Sequence, residues 1–156
     1  MVRLDEGLIE FLGRPLMCIL AGADAAGRPS AGRGVGVAVL EGGERVEVVF
    51  SAWQWPRLEA DIRATGRVAA TFVRPSDYVS YQVKGEAAVR AAGAADLARA
   101  ARFIAAATGE LEGLGVPPAL IAPWLTTREA RVSRIVVREV YVQTPGPQAG
   151  MRAGGR

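Results

Sequence analysis

A chain of 156 residues suffices for one domain that buries roughly 70% of its unfolded surface, so no covalent staple is needed. It holds one cysteine, no histidine, a net charge of +3 and a pI of about 9.6. These values exclude an internal disulfide and Ser-His-Asp or Cys-His nucleophilic machinery, and they leave almost no room for an ordinary zinc site. Redox or transfer chemistry would have to come from something other than a protein imidazole, and a bound cofactor is the natural source.

In chain order, Leu4 to Gly13 reads as a short helix. Asp5 caps it, Leu4, Leu8 and Leu12 share one face, and Gly13 ends it before Pro15. Leu16 to Ala23 is an apolar run of strand length, in which Cys18 reads as a buried, inert thiol. Asp24-Ala25-Ala26-Gly27 turns the chain into a second strand from about Arg28 to Leu40. That strand places Pro29, Ala31, Arg33, Val35, Val37 and Val39 on one face and Ser30, Gly32, Gly34, Gly36 and Ala38 on the other. Glycines in such a row mean either a sharp bend, as barrel closure requires, or the close approach of a flat ligand.

Arg45 to Ser51 reads as a third strand, and Pro56 to Thr65 as a short helix ended by Gly66. Arg67 to Val73 and Tyr78 to Val89 read as strands, the latter with Val79, Tyr81 and Val83 opposite Ser80, Gln82, Lys84 and Glu86. Ala94 to Leu114 is the long helix, with Leu97, Ala101, Ile104, Ala105, Thr108 and Leu111 as its expected buried stripe. A helical turn from Ala119 to Leu125 and a strand from Val132 to Thr144 follow. Residues 1–150 are expected to form one domain, and 151–156 a disordered tail. The fold class is mainly β with flanking helices (α+β), a six-stranded and mostly antiparallel barrel.

There is no signal peptide pattern and no apolar run near the ~18 residues that span a bilayer. A cytoplasmic protein without a membrane role is expected. Arg131, Arg134 and Arg138 come nearest to a basic stripe, but acids are interspersed, so a solvated face is expected there and not a nucleic-acid surface.

Three places have chemistry to offer. At Phe50-Ser51-Ala52-Trp53-Gln54-Trp55-Pro56-Arg57 a strand ends and a helix begins. A helix start, a hydroxyl on Ser51 and the forked donors of Arg57 suit a phosphomonoester, with Trp53 and Trp55 nearby for a planar ring. A plain helix start with core tryptophans would use the same residues. Arg33 is a charge on a face of Ala and Val, which calls for an anionic partner or a surface ion pair. Gln82 and Lys84 share a strand face that either grips the carbonyl and N–H edge of a pyrimidine-like ring or is merely solvated.

The order of elements, the run Gly32-Arg33-Gly34-Val35, the Phe50-Ser51 strand end with Arg57 six residues after Ser51, Gly66-Arg67-Val68-Ala69, and Arg74-Pro75-Ser76-Asp77-Tyr78 leading to Tyr81-Gln82-Val83-Lys84-Gly85 resemble the pyridoxamine 5'-phosphate oxidase-like FMN-binding split barrels. The likeness runs from about Leu4 to Val89. It implies a homodimer with FMN at the subunit interface. The phosphate would be held by Arg33, Ser51 and Arg57, and Gln82 would touch the isoalloxazine from the other subunit. Val35, Phe50, Trp55 and Lys84 are further candidate cofactor-binding residues. The implied activity is an FMN-dependent oxidoreductase acting on a small substrate. The chain lacks the C-terminal Arg and His that grip pyridoxal phosphate in the oxidase itself, so pyridoxamine phosphate is not the expected substrate. A deazaflavin, or no cofactor, are the alternatives within the same resemblance, as is a non-enzymatic flavin or small-ligand binder. Haem would need Cys18, Met17 or a tyrosine as its axial ligand.

Overall fold

The computed structural model describes residues 1–153. Six strands run β1 Met17–Ala23, β2 Pro29–Leu40, β3 Arg45–Ser51, β4 Arg67–Val73, β5 Ser80–Ala91 and β6 Ala130–Val142. Four helices accompany them: α1 Glu6–Leu12, α2 Pro56–Thr65, α3 Ala94–Gly113 and α4 Pro118–Ile121. The strands close into one barrel in the order β1-β2-β3-β6-β5-β4, every neighbouring pair antiparallel.

Strand alternation sorts the residues. Leu16, Cys18 and Leu20, Val46, Val48 and Phe50, and Val68, Ala70 and Phe72 point inward and form the main core with Val83, Ile135 and Val137. The same core takes in Leu8, Phe11 and Leu12 of α1 and Leu58 and Ile62 of α2, which complete it beyond the strands. Asp5 caps α1 as its sequence suggests, its carboxylate accepting the Leu8 N–H at 2.8 Å. Gly66 ends α2 in the left-handed region at φ 67°, where a side chain would be strained.

A second, smaller core lies outside the barrel. Val35, Val49 and Val132 meet Ala100 and Ala107 of α3, with Ile121 and Leu125 beyond. Of the expected helix stripe, Ile104 and Leu111 pack against this core, but its first half is off by about one position. Leu97 is 42% exposed and Ala101 and Ala105 are exposed, whereas Ala100 is fully enclosed. The reason is Gly36. A Cβ there would stand 3.3 Å from the Ala100 Cα, so a missing side chain on β2 lets the helix backbone settle over it.

The face assignment of β2 also changes part-way. The β2–β3 register shifts between Gly34 and Gly36. Val35 therefore packs outside in the second core, while Val37 and Val39 turn toward the first. A bulge of this kind resets the period of two, which a pattern of alternating residues cannot reveal.

β6 begins and ends two residues earlier than the sequence suggested, and β5 runs on to Ala91. Of the expected disordered tail, 154–156 lie outside the described residues. Met151 to Ala153 run beside β6, with the Ala153 N–H donating to the Val140 carbonyl at 2.9 Å.

A charged cluster holds α3 to the barrel. Glu47, 2% exposed, accepts from Arg90 at 3.0 Å and Arg134 at 2.8 Å, with Arg99 at 3.8 Å. Asp96 accepts from Arg90 at 2.6 Å and from the Gly93 N–H at 2.8 Å, which caps α3. No described helix is long and apolar enough to cross a membrane.

Candidate functional site

The two cores cover the barrel interior and the outer face of β2, β3 and β6. What remains is the outer face of β1, β4 and the first half of β5, where Ile19, Ala21, Ala69, Thr71 and Val73 are half-buried; Met17, at the start of β1, packs against the second core. Register places five residues in one row across this wall: Arg33 opposite Ile19, Ile19 opposite Thr71, Thr71 opposite Gln82, and Gln82 opposite Tyr141. The next row is Ala31, Ala21, Ala69, Lys84 and Glu139. Small apolar side chains in the middle are thus flanked by a guanidinium at one end and an amide, an ammonium and a phenol at the other.

The polar end is already ordered. The Gln82 amide donates to the Thr71 hydroxyl at 2.9 Å. The Lys84 ammonium lies 4.9 Å from the centroid of the Tyr141 ring, and the Tyr141 hydroxyl donates to Glu139. Gly85 makes this possible. A Cβ there would stand 2.0 Å from the Val136 carbonyl oxygen, and the β5–β6 register shifts between Lys84 and Gly85. The bulge keeps Lys84 on the outer wall while β5 continues.

At the other end, β3 passes into α2. The Ser51 hydroxyl is 1% exposed, donates to the Arg128 carbonyl at 2.6 Å and accepts the Gln54 N–H at 3.1 Å. It pins the Thr126–Glu129 loop to the strand end, so an anion would have to compete for it. The Arg57 side chain is 60% exposed and leans on carboxylates, Asp61 at 3.6 Å and Asp24 at 4.0 Å. Asp61 also accepts from Ser30 at 2.6 Å. The Asp24 carboxyl is held below its ordinary range by N–H and guanidinium donors of Arg28. Arg33 and Arg57 therefore have different partners, and the expected phosphate trio is not gathered in this conformation. The side chains of Phe50 and Val35 are enclosed in the two cores, so any contact they make with a ligand is through backbone.

Two indoles meet beside Arg33. Trp55 packs against the main core, and Gly32 makes room for it: a Cβ at Gly32 would stand 2.5 Å from the Trp55 Cγ. Trp124, in a 3-10 turn at Ala122–Trp124, stacks on Trp55 with ring centroids 6.4 Å apart and planes 12° from parallel. The Arg33 guanidinium lies 5.7 Å from the Trp124 centroid. Trp55 Nε1 and Gln54 Oε1 are buried without hydrogen-bond partners. Trp53 stands apart at 50% exposure, under the Arg128 guanidinium at 4.2 Å.

The β2 glycines are thus used by the protein itself. Gly32 admits Trp55, Gly34 admits Cys18 and Val48, and Gly36 admits α3. Sequence reasoning missed Trp124, Thr71 and Tyr141. The signal for Trp124 was a large aromatic in a proline turn, Pro123-Trp124; Thr71 and Tyr141 emerge only from register.

Cys18 is fully enclosed and burial pushes its thiol up to about 12, so it offers neither a thiolate nor an axial ligand. Arg131, Arg134 and Arg138 face carboxylates of Glu59, Glu47 and Glu86, so the basic stripe is neutralised in place.

No family model matches the sequence, and no curated protein matches it significantly. Solved structures do match. HupZ of Group A Streptococcus is 18% identical with a TM-score of 0.58, covering 97% of this chain and 99% of that one. An F420 reductase is 19% identical with a TM-score of 0.57, covering 88% and 98%. A pyridoxamine 5'-phosphate oxidase-related, FMN-binding protein of Nostoc punctiforme is 13% identical with a TM-score of 0.52, covering 88% and 83%. The fold is the pyridoxamine 5'-phosphate oxidase-like split barrel. At these identities the split-barrel likeness speaks for architecture alone, and chemistry must be argued from the residues of the outer wall.

Proposed function

We propose that this split barrel holds a flat, anionic cofactor of the flavin class, FMN first, on its outer wall and works as an oxidoreductase on a small substrate. The observation that carries this reading is the cross-strand row from Arg33 to Gln82 and Tyr141. It is an apolar strip with donors at both ends, on the part of the barrel that neither core covers. The FMN-binding and F420 proteins that share the fold support the choice of cofactor class.

The ring end fits such a group. Gln82 would donate to or accept from a pyrimidine-type edge, and the Lys84 ammonium would stabilise negative charge on it. At the phosphate end Arg33 is the leading donor, and the loosely held Arg57 can join it by turning from its carboxylates. When bound, the flavin supplies hydride or electron transfer, and the protein's residues bind, orient and exclude water.

The same half-exposed wall suits a second copy of the chain. A homodimer joined there would bury Ile19, Ala21 and Ala69 and shield the cofactor between subunits.

Purified protein with flavin absorbance, or apoprotein that takes up FMN stoichiometrically in a titration, supports the reading. Colourless protein that binds neither FMN nor F420 rejects it. A preference for F420 over FMN in the same titration would favour a deazaflavin reductase.

A further inference from the structure

A cleft of about 340 Å³ opens between the end of α1, β2 and α3. It shares no residue with the row from Arg33 to Tyr141. Its floor is apolar: Leu12 comes from α1, Val37 from β2, and Phe103 and Ala106 from α3. Phe103 packs against both cores, so the floor is anchored. The walls are guanidiniums, Arg14 after α1 and Arg99 and Arg102 on α3. Among the described residues no carboxylate, hydroxyl or amide side chain lines the cleft. Three like charges around one hollow repel one another, and the neighbouring acids do not cancel them. Arg14 has Glu10. Arg99 has only a share of Asp96, at 3.2 Å, and of Glu47, at 3.8 Å, because both carboxylates also serve Arg90 and Glu47 serves Arg134 as well. Arg102 has no carboxylate within ion-pair distance among the described residues. The carbonyl end of α1 does not oppose an anion here, since the Gly13 and Arg14 N–H groups cap the Ile9, Glu10 and Phe11 carbonyls.

We propose that this cleft is a second binding site, for an amphipathic organic anion: a carboxylate or phosphate monoester carried on an apolar chain. The floor of Leu12, Val37, Phe103 and Ala106 takes the chain out of water. Arg102 leads the grip on the head group, with Arg14 and Arg99 beside it, because the guanidinium fork matches two oxygens of either anion. The chemistry of the lining also sets what is refused. A sugar or a nucleobase would lose water from its hydroxyls and amides and find no side chain to replace it. A cation would meet three positive walls. The site is independent of the flavin reading, since the two share no side chain.

The test is calorimetric titration of the full chain with octanoate, octyl phosphate, acetate and 1-octanol. Octanoate and octyl phosphate are expected to saturate one site per chain, and the tighter of the two identifies the head group. Acetate lacks the chain and octanol lacks the charge, so each should bind about tenfold more weakly or worse. Raising the ionic strength should weaken octanoate and leave octanol unchanged. Arg102→Gln should weaken octanoate about fivefold, the size of one partly exposed charge-assisted contact, and Arg102→Lys should recover part of the loss. Ala106→Phe puts a ring on the floor and should abolish binding with every charge in place. Both positions are exposed, so melting temperatures should stay at the wild-type value, which separates a lost site from a lost fold. Octanol binding as tightly as octanoate overturns the site. So does octanoate affinity unaltered by both Arg102→Gln and Ala106→Phe, and so does the absence of saturable binding by either anion.

Discussion

Arg33 on β2 and Gln82 on β5 stand in one row of the barrel wall, with only Ile19 and Thr71 between them. They are 49 positions apart in the chain, yet three strand spacings apart in space, about 14 Å. Arg33→Ala is expected to lower FMN affinity about tenfold or more, as loss of a charge-assisted contact does. Gln82→Ala should lower it less, and Arg57→Ala should have an effect under about threefold while its side chain stays with Asp61 and Asp24. Isothermal titration of the three variants checks the order. If Arg57→Ala is the most damaging, the phosphate lies at the α2 start instead.

Gly85→Ala should unfold the sheet locally. The added methyl would meet the Val136 carbonyl oxygen at 2.0 Å, a backbone atom with nowhere to go. The expected loss is about 2–4 kcal/mol, read from chemical denaturation. Gly32→Ala should be milder in stability, because the Trp55 side chain can shift.

Glu47→Gln removes the charge around which Arg90, Arg134 and Arg99 gather. The carboxylate is buried although its partners are partly wet, so the loss should be about 2–3 kcal/mol, short of that for a fully enclosed pair. Equilibrium denaturation measures it. Hydrogen exchange should show α3 loosening before the barrel strands.

Asp96 gives a pH signature. The Arg90 guanidinium bonded to it, helped by the Gly93 N–H, holds its carboxyl at about 2, against an ordinary value of 3.8. A carboxyl lowered on folding stabilises the fold above its unfolded value, and that contribution fades as pH falls through the folded value. The stability gap between wild type and Asp96→Asn should be full at about pH 5 and shrink toward pH 2. Melting temperatures across that window test it; a gap that stays constant would show that Asp96 acts only by shape.

Cys18 should resist thiol reagents in the native protein and react once denaturant opens the barrel. Its thiol is enclosed and lies far above neutral.

Much of the architecture was legible because local signals agreed with one another. Asp5 and Gly66 marked helix limits, and Val79, Tyr81 and Val83 marked a strand face. Leu8 and Leu12 were read correctly as the inner face of α1; Leu4 is buried as well, but it lies before the Asp5 cap, outside the helix, which starts at Glu6 and not at Leu4. The first half of the α3 stripe was misread, though Ile104 and Leu111 were not, because Gly36, on a different element, decides which alanine faces the barrel. The flip of β2 after Gly34 was hidden for a similar reason: a bulge changes register without changing composition. For the site, Arg33, Gln82 and Lys84 were visible as polar residues out of keeping with their strand. That Ser51 is occupied by the Arg128 carbonyl was not, because the partner is a backbone oxygen 77 residues away. Trp124 escaped notice because nothing in its neighbourhood along the chain hints that it lands on Trp55.

The ring of strands has one more outcome. Among the described residues each strand has a hydrogen-bonding neighbour on both sides along part of its length, which leaves only short open edges, such as the end of β5 beyond Glu86, for a foreign peptide to extend the sheet. What docks on the closed part of the wall must read side chains, and its choice of company there is therefore open to change by single surface substitutions that leave the backbone scaffold intact.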